Sequence, residues 1–399
     1  MSAGDTAWVL TASALVLAMT IPGLAIFYGG MVRSKNILST MMHSFIAVCL
    51  VSIIWVLWGY SLAFGTDIGG IIGSLDYIGL TGVGPEALSG LTIPHSAFMV
   101  FQLMFAGIAV ALISGAMAER VKFSAFLVFA ALWATFIYAP LAHWVWGGGW
   151  LGRLGDLDFA GGTVVHISSG VAALAAALVL GKRHGYGTDT IVPHNLPLTV
   201  VGASLLWVGW FGFNAGSALA ADGLAAGAFV ATHVATAAGA LAWLVVEWSY
   251  RGKPTLLGAA SGAVAGLVAI TPAAGYVGPL SAIWIGLGGG GLCYMAILWK
   301  NYLGYDDALD VLGIHGIGGS WGAIATGLFA SVGGGTGLFF GNPGQVLTQC
   351  IGVGATWMFS FIGTFLILKV VDLTIGLRVS KDEEVLGLDL SQHSERAYA

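Results

Sequence analysis

The chain has 399 residues, of which 14 are Lys or Arg and 19 are Asp or Glu, so 8% of it carries full charge, against roughly 25% in soluble domains. With 57% hydrophobic residues and a mean hydropathy of +0.90, an ordinary soluble protein is excluded. The net charge of −5 offers no basic stripe for nucleic acid, and the short alternating segments of a membrane β-barrel are missing.

The apolar residues fall in blocks long enough for membrane-crossing helices, about 20 residues each. Charges, prolines and polar turns should collect where such helices leave the hydrocarbon. On that basis eleven spans are expected, at about residues 6–31, 41–64, 95–118, 123–144, 162–181, 196–217, 224–249, 255–273, 280–299, 308–330 and 346–371. The fold class is an all-α polytopic membrane protein. The start, Met-Ser-Ala-Gly-Asp, has no basic n-region, so the first span is expected to be retained rather than cleaved. The cysteines Cys49, Cys293 and Cys350 each sit in an apolar run and read as small core residues.

The cations test the count independently. Arg33 and Lys35 follow the first span, Arg120 and Lys122 the third, Lys182 and Arg183 the fifth, Arg251 and Lys253 the seventh, and Lys300 the ninth. Lys369 ends the eleventh, and Arg378, Lys381 and Arg396 lie in the tail, leaving Arg153 as the one cation on the other side. This positive-inside pattern puts the C-terminus in the cytoplasm and the N-terminus outside, and it makes the long loops 65–94 and 145–161 external. The division that follows is a membrane domain over 1–377 and a cytoplasmic tail over 378–399. The membrane domain reads as two inverted five-helix halves, about 1–181 and 196–330, plus the last helix at 346–371. Gly258, Gly262 and Gly266, one small residue in four, let helix backbones touch where lipid gives no hydrophobic drive.

His166 and His315 lie near the starts of the fifth and tenth spans, five spans apart. Each is the natural hydrogen-bond partner of the other, because a neutral imidazole has one donor and one acceptor nitrogen. The alternative is two separate histidines, each satisfied by a carbonyl or hydroxyl. Small neighbours, Ser168, Ser169 and Gly170 around one and Gly313, Gly316, Gly318 and Gly319 around the other, favour a narrow lined passage. Asp158 precedes the fifth span and reads either as a cation attractor or as a cap for the adjoining turn. Glu119 and Arg120 read as a solvated interfacial pair, and Asp310 as an inner-mouth or helix-start residue. Most of the tryptophans fit an interfacial belt. Trp146 differs, since the glycines after it let its indole lean over a vestibule, where its face can hold a small cation with roughly 0.5–2 kcal/mol.

In order along the chain come Pro-Gly-Leu-Ala-Ile-Phe-Tyr-Gly-Gly at 22–30, Phe101-Gln-Leu-Met-Phe105, Ala118-Glu-Arg, Asp158-Phe-Ala-Gly-Gly with His166, Gly-Trp-Phe-Gly-Phe213-Asn-Ala-Gly-Ser217, Thr271-Pro-Ala-Ala-Gly-Tyr and Gly-Ile-His315-Gly-Ile-Gly-Gly. Taken together they resemble the ammonium transporter family, which includes methylammonium permeases and is related to the Rhesus glycoproteins, over nearly the whole chain. The resemblance implies a transporter or channel and not an enzyme, with no cofactor. It implies that Trp146, Phe105 and Ser217 form an outer ammonium site supported by Asp158, with Phe101 and Thr271 near the vestibule. Phe105 and Phe213 would be a stacked gate, and His166 and His315 would line the pore and relay a proton. It further implies a homotrimer in the cell membrane with one pore per subunit, taking up ammonium or methylammonium, and a tail that contacts a PII signal protein.

Selectivity then needs two filters. A bare ion pays several kcal/mol to enter an apolar pore and ammonia pays much less, so deprotonation near the phenyl gate rejects potassium, which has no proton to give. The other readings are an intramembrane haem protein with the two histidines as axial ligands, an ammonium sensor acting through the tail, and a neutral-solute channel.

Overall fold

The computed structural model describes residues 1–398, and among these the only paired strands are Asp67–Ile68 and Ile72–Gly73, antiparallel with Asp67 opposite Gly73. Among the described residues, nine helices are long and apolar enough to cross a membrane: Ala3–Met31, Ser34–Phe64, His95–Met117, Phe123–Leu154, Gly162–Leu180, Leu196–Gly216, Gly223–Arg251, Pro279–Leu303 and Gly344–Thr374. They fill nine of the expected intervals. The other two intervals hold shorter pieces. Leu256–Ile270 stops at Thr271-Pro272, where proline cannot continue the ladder of hydrogen bonds. In the second, Leu312–Ile317 runs straight into Gly318–Phe329.

Several helices change pitch on the way. Wider π-turns occupy Trp55–Gly59, Ala134–Tyr138, Gly162–Ile167 and Leu312–Ile317, while the first helix breaks at Ile21, whose backbone is extended just before Pro22. Such turns widen the helix by one residue and gather at functional sites. His166 lies in one and His315 in another, so both candidate histidines sit on the widened opening turn of a helix.

Close packing comes from small residues, as expected for association without a hydrophobic drive. Gly262 and Gly266 press against the Gly223–Arg251 helix so tightly that a Cβ on Gly239 would fall 2.7 Å from the Gly262 carbonyl oxygen and 2.7 Å from the Gly266 Cα. The two histidine-bearing helices also meet backbone to backbone. A Cβ on Gly170 would lie 2.1 Å from the Gly316 nitrogen and 2.5 Å from its Cα. Cys293 is buried as expected, whereas Cys49 and Cys350 face outward, because the apolar runs that carry them turn one side away from the bundle.

One end of the bundle is tied by buried charge. Glu119 and Arg120 are not a solvated pair: they are 1% and 0% exposed. Glu119 accepts from the Arg33 main-chain N–H at 2.7 Å and from its Nε at 2.8 Å, and pairs with Arg183 at 3.4 Å. Arg183 in turn grips Asp306 through Nε at 2.9 Å and Nη2 at 2.8 Å, and Arg120 Nη2 donates to the Asp306 carbonyl at 2.5 Å. Burial alone would raise the Glu119 carboxyl, but Arg183 and Arg33 hold it below the usual range. The tail closes over this cluster: Val379 N–H donates to the Arg120 carbonyl, Arg378 pairs with Glu384 at 2.7 Å, and Asp389 accepts from Ser39 N–H at 2.8 Å.

The Gly170–Gly316 contact predicts that Gly170→Val will force the histidine helices apart and destabilise the protein by about 2 kcal/mol or more. Thermal unfolding in detergent should show the loss. Gly278→Ala, at a position with open space, should leave the midpoint unchanged.

Candidate functional site

Both histidine helices begin on a buried carboxylate. Asp158 accepts four main-chain N–H bonds, from Gly161 at 2.9 Å and Gly162 at 2.6 Å on Oδ1, and from Thr163 at 2.8 Å and Val164 at 3.1 Å on Oδ2. These groups would otherwise be orphan donors at the helix start. Asp158 is 4% exposed, so of the two sequence readings its carboxylate follows the capping one. It reaches the cavity beside Trp146 only indirectly, because its main-chain oxygen accepts the Trp146 indole N–H at 2.9 Å. Burial raises the Asp158 carboxyl above its ordinary value while the four N–H groups oppose the shift.

The matching group on the other helix is Asp307, which sequence reasoning missed in favour of Asp310. Asp307 accepts from Leu312 N–H at 2.7 Å. It stands eight residues before His315, as Asp158 stands eight before His166, and that equal spacing was the available signal. Asp310 instead pairs with Lys300 and borders a small cavity next to His315.

At the end of the bundle that holds Trp146, a cavity of about 320 Å³ is lined by Phe98, Phe101, Gln102, Phe105, Trp146 and Ser217, among others. It brings together Trp146, Phe105, Phe101 and Ser217. The Ser217 hydroxyl donates to the Phe213 carbonyl at 2.8 Å, which leaves its oxygen free to accept from a ligand. The Trp146 and Phe105 rings meet edge to face at 6.0 Å. Thr271 is not at this cavity. It is buried, donates to the Leu267 carbonyl at 2.8 Å and accepts the Trp210 indole N–H at 2.9 Å. That contact sets Trp210, a second group not foreseen from sequence, stacked on His166 with centroids 5.2 Å apart.

The rings run on in sequence. Phe105 stacks on Phe213 at 4.2 Å and 29°, Phe213 stands 5.8 Å from His166, and His166 stands 5.2 Å from His315. The two Nδ1 atoms are 3.2 Å apart, so one ring donates and the other accepts. His166 Nε2 is buried with no hydrogen-bond partner among the described residues. With the rings in direct contact no macrocycle fits between them, which removes the axial-ligand reading. Past His315, a cavity of about 30 Å³ lined by Phe27, Tyr28, Ser261, Ile314 and Asp310, among others, has room for a water-sized molecule.

The buried Asp307 carboxyl is pushed up to about 6, chiefly by burial, with Lys300 opposing. The folded chain therefore holds a proton there that an unfolded chain, titrating near 3.9, releases. Its stabilising contribution is complete below that lower value and is lost as pH rises through about 6. Unfolding midpoints measured across this range should fall with rising pH in the wild type relative to Asp307→Asn, by on the order of 3 kcal/mol at most.

A model of the Ammonium Transporter Family matches residues 7–398. An ammonium transporter of Bacillus subtilis is 56% identical over 405 residues, covering 100% of this chain and 99% of the other. Ammonium transporter Amt1 of Archaeoglobus fulgidus is 51% identical over 400 residues, covering 100% of both. The fold is similar to that of Saccharomyces cerevisiae Mep2, with a TM-score of 0.89 and 37% identity over 96% of this chain and 89% of that one. It is also similar to a protein described as a sensor Amt protein, with a TM-score of 0.91 and 31% identity over 98% of each. The chain belongs to the ammonium transporter family.

Proposed function

We propose that the chain takes up ammonium at the cavity under Trp146, deprotonates it beside the Phe105–Phe213 stack and conducts ammonia along His166 and His315, with the proton relayed separately. The observation that carries this reading is the unbroken file of rings from Trp146 to His315, which ends in two imidazoles in direct contact. At the outer end, a cation can sit on the indole and phenyl faces and donate to the Ser217 oxygen. Beyond the stacked phenyls the surroundings are apolar and closely packed, so a retained charge costs several kcal/mol whereas neutral ammonia does not. At this boundary ammonium gives its proton to the His166–His315 pair, which hands it on apart from the ammonia, and ammonia regains a proton at the cavity bordered by Asp310. Asp158 and Asp307 hold the histidine helices from their starts rather than touching the cargo.

The orientation we infer has eleven crossings, the N-terminus outside and the C-terminus in the cytoplasm of a cell membrane. The gathering of Arg33, Arg120, Arg183, Arg378 and the tail at one end supports it. The equal Asp-to-His spacing and the paired π-turns support inverted halves at about 1–181 and 196–330. We infer one pore per subunit of a homotrimer. The tail packs on the loops after the first and third helices, which supports the reading that it passes on the binding of a PII signal protein. A sensor role is the second reading, favoured by that docked tail and by the likeness to a protein described as a sensor.

Proteoliposome recording tests the proposal. An inward ammonium gradient should drive a current, and an equal potassium gradient should drive none. Ammonium flux without current would sink the relayed-proton mechanism, and equal potassium current would sink the two-filter account.

A further inference from the structure

We propose that His143 is a positioning residue for Trp146 and acts as a doubly protonated ring, clamped by Asp67 with Arg153 behind it. This deepens the reading above and rests on Trp146 belonging to the outer ammonium site. His143 sits in the last turn of Ala139–Val145, and its side chain is 0% exposed. Its Nδ1 lies 2.9 Å from the Ala63 carbonyl oxygen and its Nε2 lies 2.8 Å from Asp67 Oδ1. A carbonyl and a carboxylate oxygen only accept, so both ring nitrogens donate, and an imidazole with two N–H groups is the cation. The carboxylate is fixed in turn, since Gly70 N–H donates to Oδ1 at 2.8 Å and Arg153 Nη2 donates to Oδ2 at 2.5 Å.

The clamp bears directly on the turn after Trp146. The His143 carbonyl accepts from Gly147 N–H at 3.1 Å and from Gly149 N–H at 2.9 Å, so the chain folds back over it. A Cβ at Gly147 would fall 2.0 Å from the Ala63 oxygen and 2.6 Å from His143 Nδ1. Through its ring His143 thus ties this turn to the end of the Ser34–Phe64 helix and to the Asp67–Gly73 hairpin. The Trp146 indole is held at its far edge by Asp158. His143 holds it at the backbone, and the ring is left facing the cavity. Neither His143 nor Asp67 nor Arg153 lines that cavity, so they act through Trp146.

The test uses the full chain in proteoliposomes, with methylammonium uptake and 15N NMR of histidine-labelled protein at neutral pH. His143→Gln and Asp67→Asn should each raise the half-saturation concentration about tenfold, the loss expected for one charge-assisted bond, while maximal uptake stays within about twofold. Asp67 is partly exposed, so its variant carries the test where His143→Gln fails to fold. One ring signal, absent from His143→Gln, should report two protonated nitrogens. A neutral signal there would overturn the cationic clamp. Unchanged half-saturation in both variants, while Trp146→Leu raises it, would overturn the positioning role. An unchanged Trp146→Leu would instead contradict the outer-site reading beneath it.

Discussion

The cost of holding a charge in an apolar interior shapes this molecule. A carboxylate or ammonium in the file of rings between Phe105 and His315 would forfeit its hydration with nothing to replace it. The file is therefore built from groups that are polar or polarisable without net charge: two phenyl rings, an indole and two imidazoles. The histidines can do this because each meets the other's hydrogen-bonding need. Their contact depends on Gly170 and Gly316 letting the two backbones touch.

The same constraint decides where the real charges go. At the end holding the tail, Glu119, Arg33, Arg183, Arg120 and Asp306 satisfy one another in a buried network, which is costly to build and costlier to break. Asp158 is buried too, but four N–H groups solvate it, and in doing so it fixes the π-turn that aims His166. Each buried charge in these two places is thus spent on holding a helix start or a loop. The cavity beside Trp146 is lined instead by aromatic faces, the Gln102 side chain and the Ser217 hydroxyl, none of them charged.

Much of this was legible in the sequence, for a physical reason: hydrocarbon demands long apolar blocks, so the spans and their boundaries show in composition. Trp146, Phe105, Ser217 and the histidine pair stood in motifs dense enough to mark them, and the structure brings each to the cavity or the file. What was hidden depends on distant partners. Glu119 and Arg120 look like a surface pair until Arg33, Arg183 and Asp306 arrive from other loops. Asp310 drew attention by its nearness to His315, while Asp307 does the capping. Thr271 reads as a vestibule residue in its motif but turns inward to hold Trp210. The π-turns had no signature, because no residue preference distinguishes them from an ordinary helix turn.

The central claim is that ammonia passes along the touching imidazoles while the same two rings relay its proton separately past the apolar barrier. Methylammonium uptake and current, recorded together for the wild type and His166→Ala in the same proteoliposomes, test it most directly. The account predicts that His166→Ala loses most of the current, by about tenfold or more, since one ring alone cannot continue the relay. Equal currents in the two proteins would contradict it and remove the histidine pair from the mechanism.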